Sequence, residues 1–304
     1  MKLIVNMFSV LLAAQSSSCA DNGGSPEVTY DTDLDPCGFA EPAAGMIDIS
    51  TFNDVFHGGI VAQIEARLQS TPNPSFHEVI MEEGDCRYFK AAIGSCSPAC
   101  EGGDFCTVDG ECVAYPALIG GGKLEITGLG DTIKIVPESW SPGLYLGPAG
   151  LPGELFLPGD SIGASLAGDD YPALALGAEG VALMDTELTT QGYEMLDGQD
   201  AEITWTPGPN PEACVRLVIN GFNVAHGAPL DDIIVCEGTD TGSLVVPQAF
   251  VEEFPYGETP LLTDGFDWPH SQLTRYTRNS TDTEYGRAEL VVSSTTYFQP
   301  SHPE

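Results

Sequence analysis

Short alternating segments, each closed by glycine or proline, recur along this chain, and nowhere do apolar residues keep a helical spacing for the several turns an amphipathic helix needs. Strands are predicted at Ile47-Asp48-Ile49-Ser50, Phe76-His77-Glu78-Val79-Ile80, Cys86-Arg87-Tyr88-Phe89, Lys123-Leu124-Glu125-Ile126-Thr127 and Thr132-Ile133-Lys134-Ile135-Val136. Ile60 to Leu68 reads as a strand or a helix of two turns. Phe156 to Pro158, Ser161 to Leu166 and Pro172 to Leu176 continue the pattern. Breaks fall at intervals of roughly 8–12 residues, the rhythm of a sandwich. With 35 glycines and 23 prolines among 304 residues, the predicted class is all-β: a β-sandwich, immunoglobulin-like or jelly-roll-like, with a small disulfide-rich module.

The strongest strands lie in residues 185–299. They are Ala201 to Thr206, Cys214 to Ile219, Asp232 to Cys236 and Ala288 to Val292. Trp205 is expected in the core beside a Cys214–Cys236 cross-sheet disulfide. Pro247 to Phe254 reads as one short helix with proline in its first turn. The remaining C-terminal tail reads as polar and frayed.

The spacing Cys96-x3-Cys100-x5-Cys106-x5-Cys112, with glycines between, is of another kind. Four cysteines in so short a stretch build no hydrophobic core and need cross-links or a metal. Zinc ligands usually pair two to four residues apart, which this spacing half fits. Disulfides are the expectation, and no metal or cofactor is assigned. The segment resembles small cysteine knots and EGF-like modules of bacterial surface proteins.

Met1-Lys2, an apolar run from Leu3 to Ala14 and the small residues before Cys19 form a secretory signal. The run is shorter than the roughly 20 apolar residues that span a bilayer. Ser17-Ser18-Cys19 resembles the lipobox of bacterial lipoproteins, in which the cysteine is acylated and becomes the mature N-terminus; Ser16 departs from that family's aliphatic preference. With nine cysteines in all, lipid on Cys19 leaves Cys37, Cys86, Cys96, Cys100, Cys106, Cys112, Cys214 and Cys236 for four disulfides, as an oxidising compartment favours. The expected organisation is a signal peptide over 1–18 and a flexible tether over 19–44. A β-strand segment over 45–92, the disulfide-rich module over 93–116 and a β-sandwich over 117–299 follow. That last part divides as 117–184 and 185–299 if it forms two subdomains. The expected location is a bacterial cell envelope, at the outer membrane or cell surface, with membrane contact through the lipid only.

The net charge of -35 excludes nucleic acid, whose phosphates need a basic surface. The acids spread along the whole chain, as on a solvated surface, rather than marking a calcium site or cationic partner. Asp31, Asp33 and Asp35 mimic an EF-hand start. Pro36 stands where that loop needs glycine, and Pro42 where it needs glutamate. His226 reads as a loop or packing residue. Asn279-Ser280-Thr281 matches a glycosylation acceptor that a bacterial lipoprotein would not normally use. Trp140 and Trp268 either pack as core or offer platforms for sugars.

One constellation imitates a hydrolase. Gly159-Asp160-Ser161-Ile162-Gly163 matches the nucleophile elbow, His57-Gly58-Gly59 is similar to an oxyanion loop, and Asp267 and His270 follow in triad order. Gly159 to Ala167 resembles the serine segment of hormone-sensitive-lipase-type esterases. The elbow demands a strand-to-helix turn, yet Gly168 and Pro172 leave no room for a helix, and the alternation of Ile162, Ala164 and Leu166 suits a strand. Gly159-Asp160 is therefore read as a turn into a strand, and the triad of Ser161, Asp267 and His270 as the alternative.

Taken together, the lipobox, the cysteine knot, Leu157-Pro158-Gly159-Asp160, Thr204-Trp205-Thr206-Pro207 and Val235-Cys236 before Asp240-Thr241-Gly242 resemble the uncharacterised predicted lipoproteins of myxobacteria and their relatives. The resemblance implies a surface location and a β-sandwich, and no particular activity. The expected role is non-catalytic: binding of a glycan or protein partner at the surface, or a structural part. A carbohydrate-binding sandwich is a further alternative. Intact mass of the protein from its native host, before and after reduction and alkylation, should show a chain starting at Cys19 with added diacylglycerol. Eight thiols should become alkylable only on reduction; a full-length mass with free thiols would refute export.

Overall fold

The computed structural model describes residues 37–39, 41–53, 59–75, 77–91, 96–102, 104–107, 109–184, 193–196, 198–220, 232–254, 271–298 and 300–301. Nearly all ordered structure is β. The strands are β1 (Gly45–Asn53), β2 (Ile60–Leu68), β3 (His77–Glu83), β4 (Cys86–Ala91), β5 (Phe105–Cys106), β6 (Cys112–Val113), β7 (Leu124–Thr127), β8 (Ile133–Ile135), β9 (Leu144–Leu146), β10 (Ser161–Leu166), β11 (Leu174–Glu179), β12 (Tyr193–Glu194), β13 (Ala201–Thr204), β14 (Cys214–Asn220), β15 (Asp232–Thr239), β16 (Ser243–Val246), β17 (Ser271–Thr283), β18 (Gly286–Phe298) and β19 (Pro300–Ser301). The one helix among the described residues, α1 (Gln248–Glu253), starts after Pro247, which stands as its N-cap.

Nine strands form the main sheet, in the order β3-β4-β15-β14-β17-β18-β1-β2-β9. Neighbours are antiparallel except β1 and β18, which run parallel with Ile47 beside Leu290 and Ile49 beside Val292. The expected boundary between residues 45–92 and 117–299 therefore does not divide the fold: both parts give strands to one sheet. Ile60 to Leu68 is a strand, and its alternation puts Ile64, Ala66 and Leu68 on the buried face beside Ile47 and Ile49. Phe156 is buried, but Phe156 to Pro158 belong to no strand.

One face of this sheet is covered in two places. The four-stranded sheet β11-β10-β7-β8 lies over β1, β2 and β18, and its Leu124, Ile126, Ile162, Ala164 and Leu176 share one core with Ile49, Ile64 and Leu290. This is sheet-on-sheet packing, a sandwich. The paired strands β13 and β16, together with α1, cover the other half. There Ile203, Trp205, Val246 and Phe250 pack against Tyr88, Leu217, Ile234 and Leu273. The hairpin β5–β6 of the disulfide module stands apart as its own small sheet.

Four disulfides use all eight expected cysteines. Cys96–Cys106 and Cys100–Cys112 staple the module. The other two are Cys37–Cys214 and Cys86–Cys236, so the expected Cys214–Cys236 bond is corrected. The reason is pleat parity. On the antiparallel pair β14–β15, Cys214 faces Thr239 while Cys236 faces Leu217, so the two sulfurs leave opposite faces of the sheet. Cys86, by contrast, sits directly across from Cys236. The flexible tether over 19–44 is also corrected at its end: Cys37 is cross-linked, the Phe39 ring lies 4.1 Å under the Arg87 guanidinium, and Ala44 is buried.

β17 escaped prediction, and Ser293 to Phe298 continue β18 rather than fraying, with Phe298 buried. The core-facing positions of β17 are Ser271, Leu273, Arg275, Thr277 and Asn279, four of them polar. Each polar group has work to do. Asn279 donates to the Gly177 carbonyl at 3.0 Å, and Thr277 donates to that of Glu179, which satisfies the free edge of β11. Asn279 is only 7% exposed, so the glycosylation motif is closed to modification.

Arg275, 2% exposed, is a buried charge. Its guanidinium donates to Asp240 at 2.7 Å and to the carbonyls of Ala182, Leu183 and Thr206 at 3.2, 3.0 and 2.6 Å. Asp240 also accepts from the Trp205 indole at 2.6 Å and the Gly208 amide at 2.7 Å. Removing one partner of such a pair strands a buried charge, at a cost of about 3–5 kcal/mol. Asp240→Ala should lower unfolding stability in guanidinium chloride by that amount. Arg275→Met should cost a similar amount, since it leaves Asp240 without its cation and the carbonyls of Ala182, Leu183 and Thr206 without a donor.

Candidate functional site

The uncovered face of the main sheet forms a groove of about 840 Å³. Its side chains are the alternate residues of the strands whose other faces build the core. β1 offers Met46, Asp48, Ser50 and Phe52, and β2 offers Gln63, Glu65 and Arg67. β18 adds Glu289, Val291, Ser293, Thr295 and Tyr297; β17 adds Gln272, Thr274 and Tyr276; β14 adds Arg216 and Val218. Register orders them into rows. Glu65 stands beside Asp48, Gln63 beside Ser50, Ser50 beside Ser293, and Ser293 beside Tyr276. Phe52 stands beside Thr295, Thr295 beside Thr274, and Thr274 beside Arg216.

Local contacts hold the wall in shape. Glu65 accepts from Gln63 at 3.1 Å and from Arg67 at 3.4 Å. Thr274 and Thr295 share a hydrogen bond of 2.9 Å. Phe52 and Tyr297 meet edge to face, with centroids 6.2 Å apart. Arg216 pairs with Glu237 and lies 5.2 Å over the Tyr276 ring. Burial and the neighbouring Glu237 push the Tyr276 phenol up to about 12, against the opposing pull of Arg216 and Arg278.

Asp48 is the group the sheet leaves unsettled. Its Oδ1 is closed from solvent and has no hydrogen-bond partner among the described residues. Burial raises its pKa to about 6, with Glu65 adding to the rise while Ser50 and Arg216 oppose it. Tyr297 is likewise raised, by burial first and then by the charge of Asp48.

The groove was not foreseen. The signal was present as the polar half of each alternation, which reads equally as a plain solvated face. Of the residues that were singled out, the structure places Ser161 at the exposed start of β10, after a turn in which Gly159 takes φ +85° and Asp160 accepts from the Leu157 amide at 2.7 Å. No helix follows it, so the nucleophile elbow is absent. Asp267, His270, His57, Gly58, His226, Trp268, Cys19, Asp31, Asp33 and Asp35 lie outside the described residues. Trp140, at a turn and 72% exposed, is not core. In the module, the sulfurs of Cys96, Cys100 and Cys106 lie within 4.8 Å of one another, close enough for a metal, but each is held in a disulfide.

No family model and no curated protein matches the chain. Among solved structures, the crystal structure of chicken CNTN1 FN1-FN3 domains is similar over 75% of this chain and 67% of that chain, at 9% identity and a TM-score of 0.15. A score that low carries no argument, and the architecture rests on the strands and their pairing. No helix among the described residues is long and apolar enough to cross a membrane.

The raised pKa of Asp48 has a sign that can be tested. Below about pH 4 the carboxyl is protonated in the folded and unfolded chain alike, and the site costs nothing. Between about 4 and 6 the unfolded chain releases its proton first, so stability falls as pH rises, and the loss is complete above about 6. Asp48→Asn should match the wild type near pH 4 in urea unfolding and exceed it near pH 7, by on the order of 1–3 kcal/mol.

Proposed function

We propose that this chain is an exported binding protein, lipid-anchored at Cys19 on a bacterial envelope, whose open sheet face holds a glycan. The observation that carries the reading is the composition of that face. A sheet this wide, buried on one side only, displays serine, threonine, glutamine and tyrosine in register across β2, β1, β18 and β17. Hydroxyls and amides that both give and accept hydrogen bonds, set beside aromatic rings, match the alternating hydroxyls and C–H faces of a sugar chain. Rigid strands hold them, so little ordering cost falls on the protein when a ligand arrives. The exposed Trp140 is a further aromatic surface of the kind sugars stack on. Four disulfides, two of them bridging 177 and 150 residues of sequence, support an oxidising location.

The mature chain on a glycan array should retain a restricted set of oligosaccharides. Gln63→Ala with Gln272→Ala removes two amides from opposite walls. Each net hydrogen bond is worth about 1 kcal/mol, so affinity for a retained glycan should drop roughly tenfold or more. Robust turnover of ester substrates that disappears in Ser161→Ala would favour a hydrolase instead.

A further inference from the structure

We propose that the outer edge of β3 takes an added strand from a basic, extended polypeptide segment. This partner is a protein, and its site is separate from the glycan groove.

A strand that ends a sheet carries a row of amide and carbonyl groups that no neighbour fills. Four strands end the two larger sheets: β3 and β9, β11 and β8. β9 and β8 have three residues each, too short to hold a partner strand in register. β11 is already served by Asn279 and Thr277 of β17. β3 is different. It runs for seven residues, His77–Glu83. From Glu78 to Glu83 its backbone is bonded, among the described residues, by β4 alone.

β3 also stands beyond the layers that cover the main sheet. Tyr88 on β4 is fully buried, whereas Glu78, Val79, Ile80, Glu82 and Glu83 on β3 are all exposed. Val79 and Ile80 show 46% and 38% of their surface. Exposed β-branched side chains on an unpaired edge are what an added strand covers.

Charge selects the occupant. A second copy of this chain, itself at -35, would set glutamates against glutamates, and like charges facing each other across strands oppose pairing. The bulge at Ile80, where the register shifts between Val79 and Met81, adds twist that discourages flat edge-to-edge stacking. Neither guard acts against a single basic strand. Lys90 is matched by Asp232 at 3.9 Å and Arg87 by Glu82 at 3.1 Å, so the cations of β4 are engaged within the sheet. Glu78 and Glu83 remain to face lysines or arginines of the incoming strand, while Val79 and Ile80 meet its apolar residues. In such an addition main-chain hydrogen bonds supply the affinity, and the side chains choose the partner.

Three fluorescent peptides test the full mature chain. One alternates lysine with valine and threonine. The second is the same peptide N-methylated at every backbone amide, and the third has glutamate in place of lysine. In fluorescence polarisation the lysine peptide should bind at least about tenfold more tightly than the N-methylated one, which keeps the charge but cannot complete a ladder. The glutamate peptide should not bind. Hydrogen exchange read by mass spectrometry should show new protection over His77–Glu83 when the lysine peptide is present. Glu78→Gln with Glu83→Gln should weaken that peptide about threefold or more, as exposed charges contribute modestly. Asp131→Asn with Glu154→Gln, exposed elsewhere, removes the same charge and should change nothing. Equal binding of the lysine and N-methylated peptides, or equal loss in the two double variants, would reveal diffuse attraction to an acidic protein and overturn the proposal. Protection on β1 and β18 in place of β3, binding of the glutamate peptide as tight as that of the lysine one, or no binding at all overturns it as well.

Discussion

The layer that covers the second core depends on how Arg275 is satisfied. A guanidinium placed in the middle of a sheet face, away from water, must fill its five donors or forfeit several kcal/mol. Asp240 takes one edge of it, and three carbonyls from two separate loops take the rest. Because Asp240 also holds Trp205 and Gly208, a single charged pair fixes the exit of β13, the turn between β15 and β16 and the segment 181–184 against β17. Gly242, at φ +99° in that turn, lets the chain reverse close against Trp205 and Pro207. The pair therefore positions the β13–β16 strands, which together with the four-stranded sheet cover one face and leave the opposite one open.

That division of faces makes the groove. Alternation along each strand sends one set of residues to a core and the other to the open side. The parallel pairing of β1 with β18 brings the N-terminal hairpin alongside strands from the C-terminal third. Asp48 and Arg216, far apart in the chain, act on each other only through this arrangement.

The class of the fold was legible because most strands obey the simple rule. Ile47 and Ile49 against Asp48 and Ser50, or Ile162 and Leu166 against Ser161 and Ser165, announce both a strand and its buried face. β17 does not, since Ser271, Arg275, Thr277 and Asn279 point inward and erase the contrast on which such reading depends. Polar residues there are stable only because particular carbonyls of β11 and of the 181–184 and 205–208 segments wait for them, and that knowledge is tertiary. The disulfides show the same limit. Eight cysteines announced four bonds, but choosing Cys86 over Cys214 as the mate of Cys236 requires the register of β15 against β4 and β14. The groove shared this fate: its residues looked like ordinary solvated positions until the sheet order set them side by side.

The parallel seam between β1 and β18 also governs timing. Gly45 pairs with Ala288, and Cys37 and Cys86 join partners that are made much later. The first strand has no neighbour on that side until β18 has been made, so the sheet cannot close in chain order from β1 onward. Pairings this distant in sequence form slowly. Local pairs such as β1–β2 and β3–β4 can form early, yet they stay unjoined until β15, β17 and β18 bridge them, so the main sheet is assembled from its two ends inward in a single late step.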